Sequence, residues 1–259
     1  MSIITEFETL PHSRGSLELE FSEDRIATLW LDNPDARNAM SIAMMHQLPS
    51  ILEVLQQQTP SLLIVRGRNG HFCAGGDLED VKSHLLTPGL GAEMCRFMTT
   101  HTNALCTLPC MIVVVLEGAA IGGGAELVTI SDYVIADAES KIGFLQTRLG
   151  VTTGWGGGQR LIKRIGKTKA VQVLGLSRVY SAQQAKGIGL IDEVTSSVEE
   201  SVSILKSRIL KQPPQAFTRL MTWLHRTNEN TTELDTFAST WAGAEHCNAL
   251  GIDQLQKET

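Results

Sequence analysis

The sequence predicts an α/β fold built on a mainly parallel sheet. Strand, glycine-rich loop, helix and strand recur through the first two-thirds of the chain. The central strands are continuous apolar runs, as strands buried on both faces are. With 259 residues and 42% apolar composition, the chain is long enough to bury a large core.

LELEF (17–21) and RIATLWLD (25–32) suit a half-buried pleated surface and are joined across Ser22-Glu23-Asp24, which predicts a hairpin. NPDARNAMS then leads into a helix from about Ile42 to Gln57, with its apolar residues spaced for one buried face. SLLIVRG (61–67) is a strand ended by glycine. A loop, NGHFCAGGD (69–77), follows it, and then a helical stretch from about Gly91 to Leu108.

The middle of the chain repeats that unit. MIVVVLEG (111–118) is a β-branched strand, IGGGAELVTIS (121–131) turns into a helix, and DYVIAD (132–137) is a short strand. GFLQTRLG (143–150) leads into a second glycine cluster, GWGGGQRLIKRIG (154–166). From about Thr168 the pattern is helical. KAVQVLGL (169–176) is followed by SAQQAKGIGLIDEV (181–194), with Ser181 as N-cap and Gly187 or Gly189 as stop. VEESVSILKSRILKQ (198–212) is an amphipathic helix that Pro213-Pro214 ends, and the remainder is helical with an Asn/Thr interruption near 227–232. The expected division is an α/β core over residues 1–200 and a helical region over 201–259.

A net charge of −6 without a long basic run argues against a general nucleic-acid or anionic-membrane binder, but leaves room for a local basic patch. The N-terminus carries neither a signal nor a transit pattern, and no apolar run approaches membrane-spanning length, so a cytoplasmic protein is expected. The five cysteines, at 73, 95, 106, 110 and 247, read as buried reduced thiols. Cys106 and Cys110 have the spacing of one helical face, yet Pro109 separates them and no histidine pair accompanies them. No metal site is expected. His71, His84, His101, His225 and His246 match no catalytic pattern, and core or surface roles are expected of them.

Two glycine loops follow two apolar strands, CAGGD (73–77) and IGGGAE (121–126). Where a strand passes into a helix, the first helical N–H groups lack internal acceptors and can meet negative charge. Glycine lets a ligand approach that backbone without meeting a Cβ. Two such donors converging on one carbonyl oxygen make an oxyanion hole for an enolate or a tetrahedral oxyanion. Neither loop has the GxGxxG or GxxxxGK[ST] pattern of a phosphate loop. Close packing or tight turning would explain one such loop; two at equivalent strand ends, one closing on Asp77 and the other on Glu126, point to function.

RNGHFCAGGDLEDV, EGAAIGGGAELVTISDYVIADAESKIGF, TTGWGGGQRLIKRIGKTKA and YSAQQAKGIGLIDEV, in that order, resemble the crotonase (enoyl-CoA hydratase/isomerase) superfamily over nearly the whole chain. The resemblance implies the crotonase spiral of repeated ββα units, a helical C-terminal trimerisation region, and a homotrimer or dimer of trimers. It implies an acyl-CoA thioester as substrate, with the thioester oxygen held by the amides of Gly76 and Gly123, and no cofactor beyond the CoA moiety. Glu126 matches the acid at the end of the glycine loop. The CoA nucleotide is placed by the same resemblance near NPDARNAM and CAGGD. There Arg37 is a candidate phosphate partner or a solvated turn residue, Ala74, Gly75, Asp77 and Leu78 line the adenine end, and Asp77 is equally a loop cap.

Hydratases of the family carry a second glutamate at the position of Gln146. An amide hydrogen-bonds water but neither takes up nor releases a proton near neutral pH. Gly154-Trp155-Gly156-Gly157 resembles a Ser-Trp-Gly-Gly segment of the ethylmalonyl-CoA decarboxylase branch, and TWAGAEHCNAL (240–250) resembles its C-terminal Trp-Gly-Gly segment with Ala242 replacing a glycine. Gln146 departs from that branch too, where histidine is expected. Trp155 is a candidate wall of the acyl pocket or a packing residue. The leading expectation is decarboxylation of a short branched malonyl-CoA. The alternatives are an enoyl-CoA hydratase or isomerase working through Glu126 alone, and a non-catalytic acyl-CoA-binding member.

Overall fold

A computed structural model describes residues 5–11, 14–22, 25–226, 233–241 and 243–249. Glu23 and Asp24 of the expected turn, the interruption at 227–232, and Ala242 lie outside the described residues.

The hairpin forms as its pattern predicts. β1 (Ser16–Ser22) pairs antiparallel with β2 (Ile26–Asp32). α1 (Ile42–Gln58) buries the face carrying Leu48, Leu52 and Leu55, and Ser41 caps it by accepting from the Met44 N–H at 3.1 Å. β3 (Leu62–Gly67), β4 (Met111–Leu116) and β6 (Tyr133–Asp137) then add in parallel, each nearly all buried. Their Val and Ile side chains point to both faces of the sheet, which is why the runs show no alternation. α2 (Leu78–His84) and α3 (Pro88–Leu105) lie between β3 and β4. Expectation placed only the second of these helices, because α2 buries no apolar side chain, only Asp80.

A second, smaller sheet escaped the sequence reading. β5 (Ala119–Ile121) pairs parallel with β7 (Lys141–Gly143), which pairs antiparallel with β8 (Val179–Ser181). Isolated bridges extend this line through Cys73 and Ala120 and through Met40 and Gly76. Each turn of the chain therefore gives one strand to the large sheet, one extended stretch to the small one, and then a helix. β4, β5 and α4 (Gly123–Val128) make one such unit; β6, β7 and α5 (Gly157–Ile165) make the next. This is the expected spiral.

The reading of everything beyond Thr168 as helical is corrected. α6 (Lys167–Leu176) and α7 (Ala182–Gly187) are helices, the latter with a complete capping box between Ser181 and Gln184. Between and after them come β8 and then β9 (Glu193–Thr195), which completes the large sheet beside β6. Three-residue strands carry too few side chains for a period to be read. α8 (Val198–Leu210), α9 (Pro214–His225), α10 (Glu233–Thr240) and α11 (Ala244–Ala249) follow. Of the cysteines, Cys73, Cys110 and Cys247 are buried, whereas Cys95 and Cys106 are only half-buried. Burial pushes the Cys73 and Cys110 thiols up to about 12.

His225 fastens α9 to the core. Its Nδ1 donates to the Leu108 carbonyl at 2.7 Å and its Nε2 faces the Asp132 carboxylate at 2.9 Å. Both acceptors call for a proton on the ring nitrogen. The Asp132 hydrogen bond raises the His225 pKa, burial opposes it, and the Asp132 charge and Leu108 add to the rise. A raised folded-state pKa stabilises below the ordinary histidine value near 6.5, and that contribution is lost as pH climbs through the folded value. His225→Gln is therefore expected to lower Tm at pH 6 by about 2–4 °C per kcal/mol lost. The gap to the unmodified protein should close toward pH 9 in thermal melts.

Candidate active site

The two glycine loops lie against each other. The Cys73 N–H donates to the Ala119 carbonyl at 3.1 Å, and the Ile121 N–H donates to the Cys73 carbonyl at 3.0 Å. The first loop is held on its other side by Met40, whose N–H donates to the Gly75 carbonyl at 2.7 Å and whose carbonyl accepts from Asp77 at 2.9 Å. A Cβ built on Gly75 would sit 3.5 Å from the Gly123 nitrogen, so the stretches carrying Gly76 and Gly123 are neighbours. Both glycines are half-buried, and neither N–H has an acceptor among the described residues. Gly123 is the first residue of α4, where no intrahelical acceptor exists.

Glu126 lies on α4, three residues beyond Gly123, and is 2% exposed. Its Oε1 accepts from Gln146 Nε2 at 2.9 Å and from the Gly154 N–H at 3.1 Å. Its Oε2 accepts from the N–H groups of Trp155 at 2.9 Å and Gly157 at 3.0 Å. Three of the four donors belong to the N-terminal approach of α5, where the helix dipole also favours an anion. Gly157 is needed for that closeness, since a Cβ there would lie 2.4 Å from the Glu126 Cβ.

Gln146 opens a 3-10 turn, Gln146–Leu149, and is 9% exposed. A carboxylate oxygen can only accept, so the amide must turn Nε2 toward Glu126. That leaves Gln146 Oε1 buried with no partner among the described residues.

Trp155 is 4% exposed and rests on the glycines. A Cβ on Gly123 would meet its Cη2 and Cζ3 at 2.4 Å, and one on Gly76 would lie 3.8 Å from its Cζ2. The ring therefore flanks both expected donors. Sequence reasoning assigned no role to Arg160, which holds the Trp155 carbonyl from Nη2 at 2.7 Å. Thr102 Oγ1 lies 2.8 Å from the same carbonyl and 2.7 Å from that of Met98, and its single proton is divided between the two acceptors. The only hint in the sequence is a basic residue three positions into a helix that opens with glycines.

The expected CoA-binding residues fall on two neighbouring segments with separate duties. Arg37 is exposed in a left-handed conformation (φ 51°), and its carbonyl accepts from the Ala74 N–H at 3.1 Å. Its guanidinium has no partner among the described residues. Asp77 is the N-cap of α2, accepting from the Glu79 N–H at 3.0 Å, and it also accepts from Arg14 and Asn33. Burial pushes its carboxyl up, yet Arg14, Glu79 and Asn33 together outweigh burial and hold it below the ordinary carboxylate range. Its cap role is thus occupied within the chain. Leu78 is 61% exposed beside it. A cavity of about 320 Å³ between α9, α10 and α11 is lined by residues such as Arg219, Phe237 and Trp241 and contains none of the expected site residues.

The enoyl-CoA hydratase/isomerase family profile matches residues 22–240. The chain belongs to the enoyl-CoA hydratase/isomerase family. It is 32% identical over 250 residues to the ethylmalonyl-CoA decarboxylase of Homo sapiens, covering 91% of this chain and 80% of that protein. Among solved structures, AtuE of Pseudomonas aeruginosa superposes with a TM-score of 0.82 at 26% identity, covering 90% of this chain and 94% of that one. An enoyl-CoA hydratase from Bacillus anthracis superposes with a TM-score of 0.83 at 23% identity, covering 91% and 94%. The crotonase fold and an acyl-CoA-processing enzyme of this family follow.

Gln146→Glu tests the bond between the two side chains. It replaces a donor 2.9 Å from Glu126 Oε1 by a second carboxylate. The expected loss is about 1–3 kcal/mol near neutral pH, measured by thermal melts of the two proteins.

Proposed function

We propose that this enzyme decarboxylates a short branched malonyl-CoA, ethylmalonyl-CoA or methylmalonyl-CoA. The observation that carries the reading is the filled coordination of Glu126: four N–H donors occupy the lone-pair positions of its carboxylate. Adding water to an enoyl thioester needs a base for that water. Here the one carboxylate is engaged, and an amide stands at 146.

Decarboxylation needs no base. The C–C bond to the substrate carboxylate breaks, CO₂ leaves, and the electron pair passes into the thioester as an enolate. The amides of Gly76 and Gly123 are the donors for the enolate oxygen, and a proton from water then completes the α-carbon. Such preorganised donors contribute about 3–4 kcal/mol each where one has been removed from an oxyanion hole. Glu126 remains near the reacting carbon as a fixed anion. At the other end of the substrate, Arg37 meets a CoA phosphate, and Leu78 offers apolar surface to the adenine. The 32% identity to ethylmalonyl-CoA decarboxylase supports the same reaction class.

Purified protein incubated with ethylmalonyl-CoA and methylmalonyl-CoA is expected to release butyryl-CoA and propionyl-CoA, read by mass spectrometry. Crotonyl-CoA should be hydrated far more slowly, if at all. No acyl-CoA product above a protein-free control would overturn the reading.

A further inference from the structure

The two peptide groups flanking the Trp155 Cα are held by groups of opposite charge. The Trp155 N–H donates to the Glu126 carboxylate at 2.9 Å, while the Trp155 carbonyl accepts from Arg160 Nη2 at 2.7 Å and Thr102 Oγ1 at 2.8 Å. The neighbours on either side are held as well. Gly154 donates to Glu126 and accepts from Thr99 Oγ1 at 3.3 Å, and Gly157 donates to Glu126.

Arg160 makes this grip in an unusual way. Apart from Trp155 and Thr102, it donates from Nε to Thr129 Oγ1 at 3.0 Å, from Nη1 to Asn103 Oδ1 at 2.7 Å, and distantly to the Glu126 carbonyl at 3.5 Å. All of these acceptors are neutral. Burial pushes the guanidinium below its ordinary value, with Cys106 and the Glu126 charge opposing. A cation held largely out of water with only neutral partners is costly unless its hydrogen bonds fix something. What it fixes is the tryptophan whose ring flanks Gly76 and Gly123.

We propose that Arg160 is a positioning residue which, with Thr102, locks Trp155 as a rigid wall beside the acyl site, and that this wall limits the bulk carried on the substrate's α-carbon. The inference rests on the acyl-CoA reading above and narrows it to thioesters with a small α-substituent. Because the indole lies against both Gly123 and Gly76, a thioester oxygen reaching both amides sets its α-carbon beside the ring, and an added branch meets it. A wall held at both its N–H and its carbonyl yields little. Discrimination against extra methylenes is set by how well a wall resists displacement.

The test measures affinity, so that it stands apart from turnover. Dissociation constants of butyryl-CoA, isobutyryl-CoA and 2-ethylhexanoyl-CoA are determined by calorimetry for the unmodified protein, Trp155→Leu, Arg160→Met, Arg160→Lys and Thr102→Val. The unmodified protein should bind isobutyryl-CoA about tenfold or more tightly than 2-ethylhexanoyl-CoA. Trp155→Leu and Arg160→Met should erase most of that ratio; Arg160→Lys should restore part of it. Should Arg160→Met fail to fold, Thr102→Val, which removes one donor to the same carbonyl, decides by a smaller shift in the same direction. A ratio unchanged in folded Trp155→Leu and Thr102→Val overturns the inference. Failure to decarboxylate any malonyl thioester leaves these ratios untouched and sinks the proposed reaction alone.

Discussion

The site is organised by one buried anion. A carboxylate taken out of water costs several kcal/mol unless its oxygens are met by donors, and Glu126 draws those donors from residues 20 to 31 positions away. Satisfying it brings together α4, the turn at Gln146, and the approach to α5. The same contacts bring Trp155 onto Gly123, because the indole sits on a peptide whose N–H is committed to the carboxylate. Glycine at 157 is a condition of this closure, as any Cβ there would strike the Glu126 side chain. Two successive units of the spiral are thereby joined at one carboxylate.

Much of this framework was legible in the sequence, and the boundary of legibility has a physical cause. β3, β4 and β6 stood out because strands buried on both faces must be apolar throughout, and α1 because its apolar residues recur at helical spacing. The small sheet was not legible. β5, β7, β8 and β9 are three residues long, and their stability comes from partners elsewhere in the chain, such as the pairing of Lys141 with both Ala119 and Ser181. The glycine loops could be found because glycine is informative wherever backbone must be bared. Glu126 could be placed beside them, but its donors could not, since three of the four are backbone N–H groups that leave no mark on residue type. Arg160 was hidden for a related reason: its partners are hydroxyls, an amide and carbonyls from α3, from α4 and its C-terminal end, and from a loop.

Asp77 and Glu126 close the two glycine loops alike in sequence and differ in what surrounds them. Asp77 caps α2 and pairs with Arg14, which is substantially solvent-exposed, so its charge is answered at the surface. Glu126 is answered in the interior by oriented N–H groups, with Arg160 on the far side of the Trp155 peptide. An acid just before its helix is thus a cap in one turn of the spiral, and an acid one turn inside its helix gathers buried donors in the next.

For the proposed reaction, that difference bears on how a fixed anion can coexist with an enolate forming one helical turn away. A bare carboxylate in a medium of low dielectric would repel the developing oxyanion by several kcal/mol at close range. Glu126 is not bare. Its charge is offset by four N–H dipoles, by the positive end of α5 and by the Arg160 guanidinium, so the field it projects toward Gly123 is much reduced. In the proposed reaction the two unengaged amides of Gly76 and Gly123 are the donors that favour negative charge on an oxygen between them. The donors that fill the lone-pair positions of Glu126 are, in the proposed reaction, the same ones that let an oxyanion form beside it.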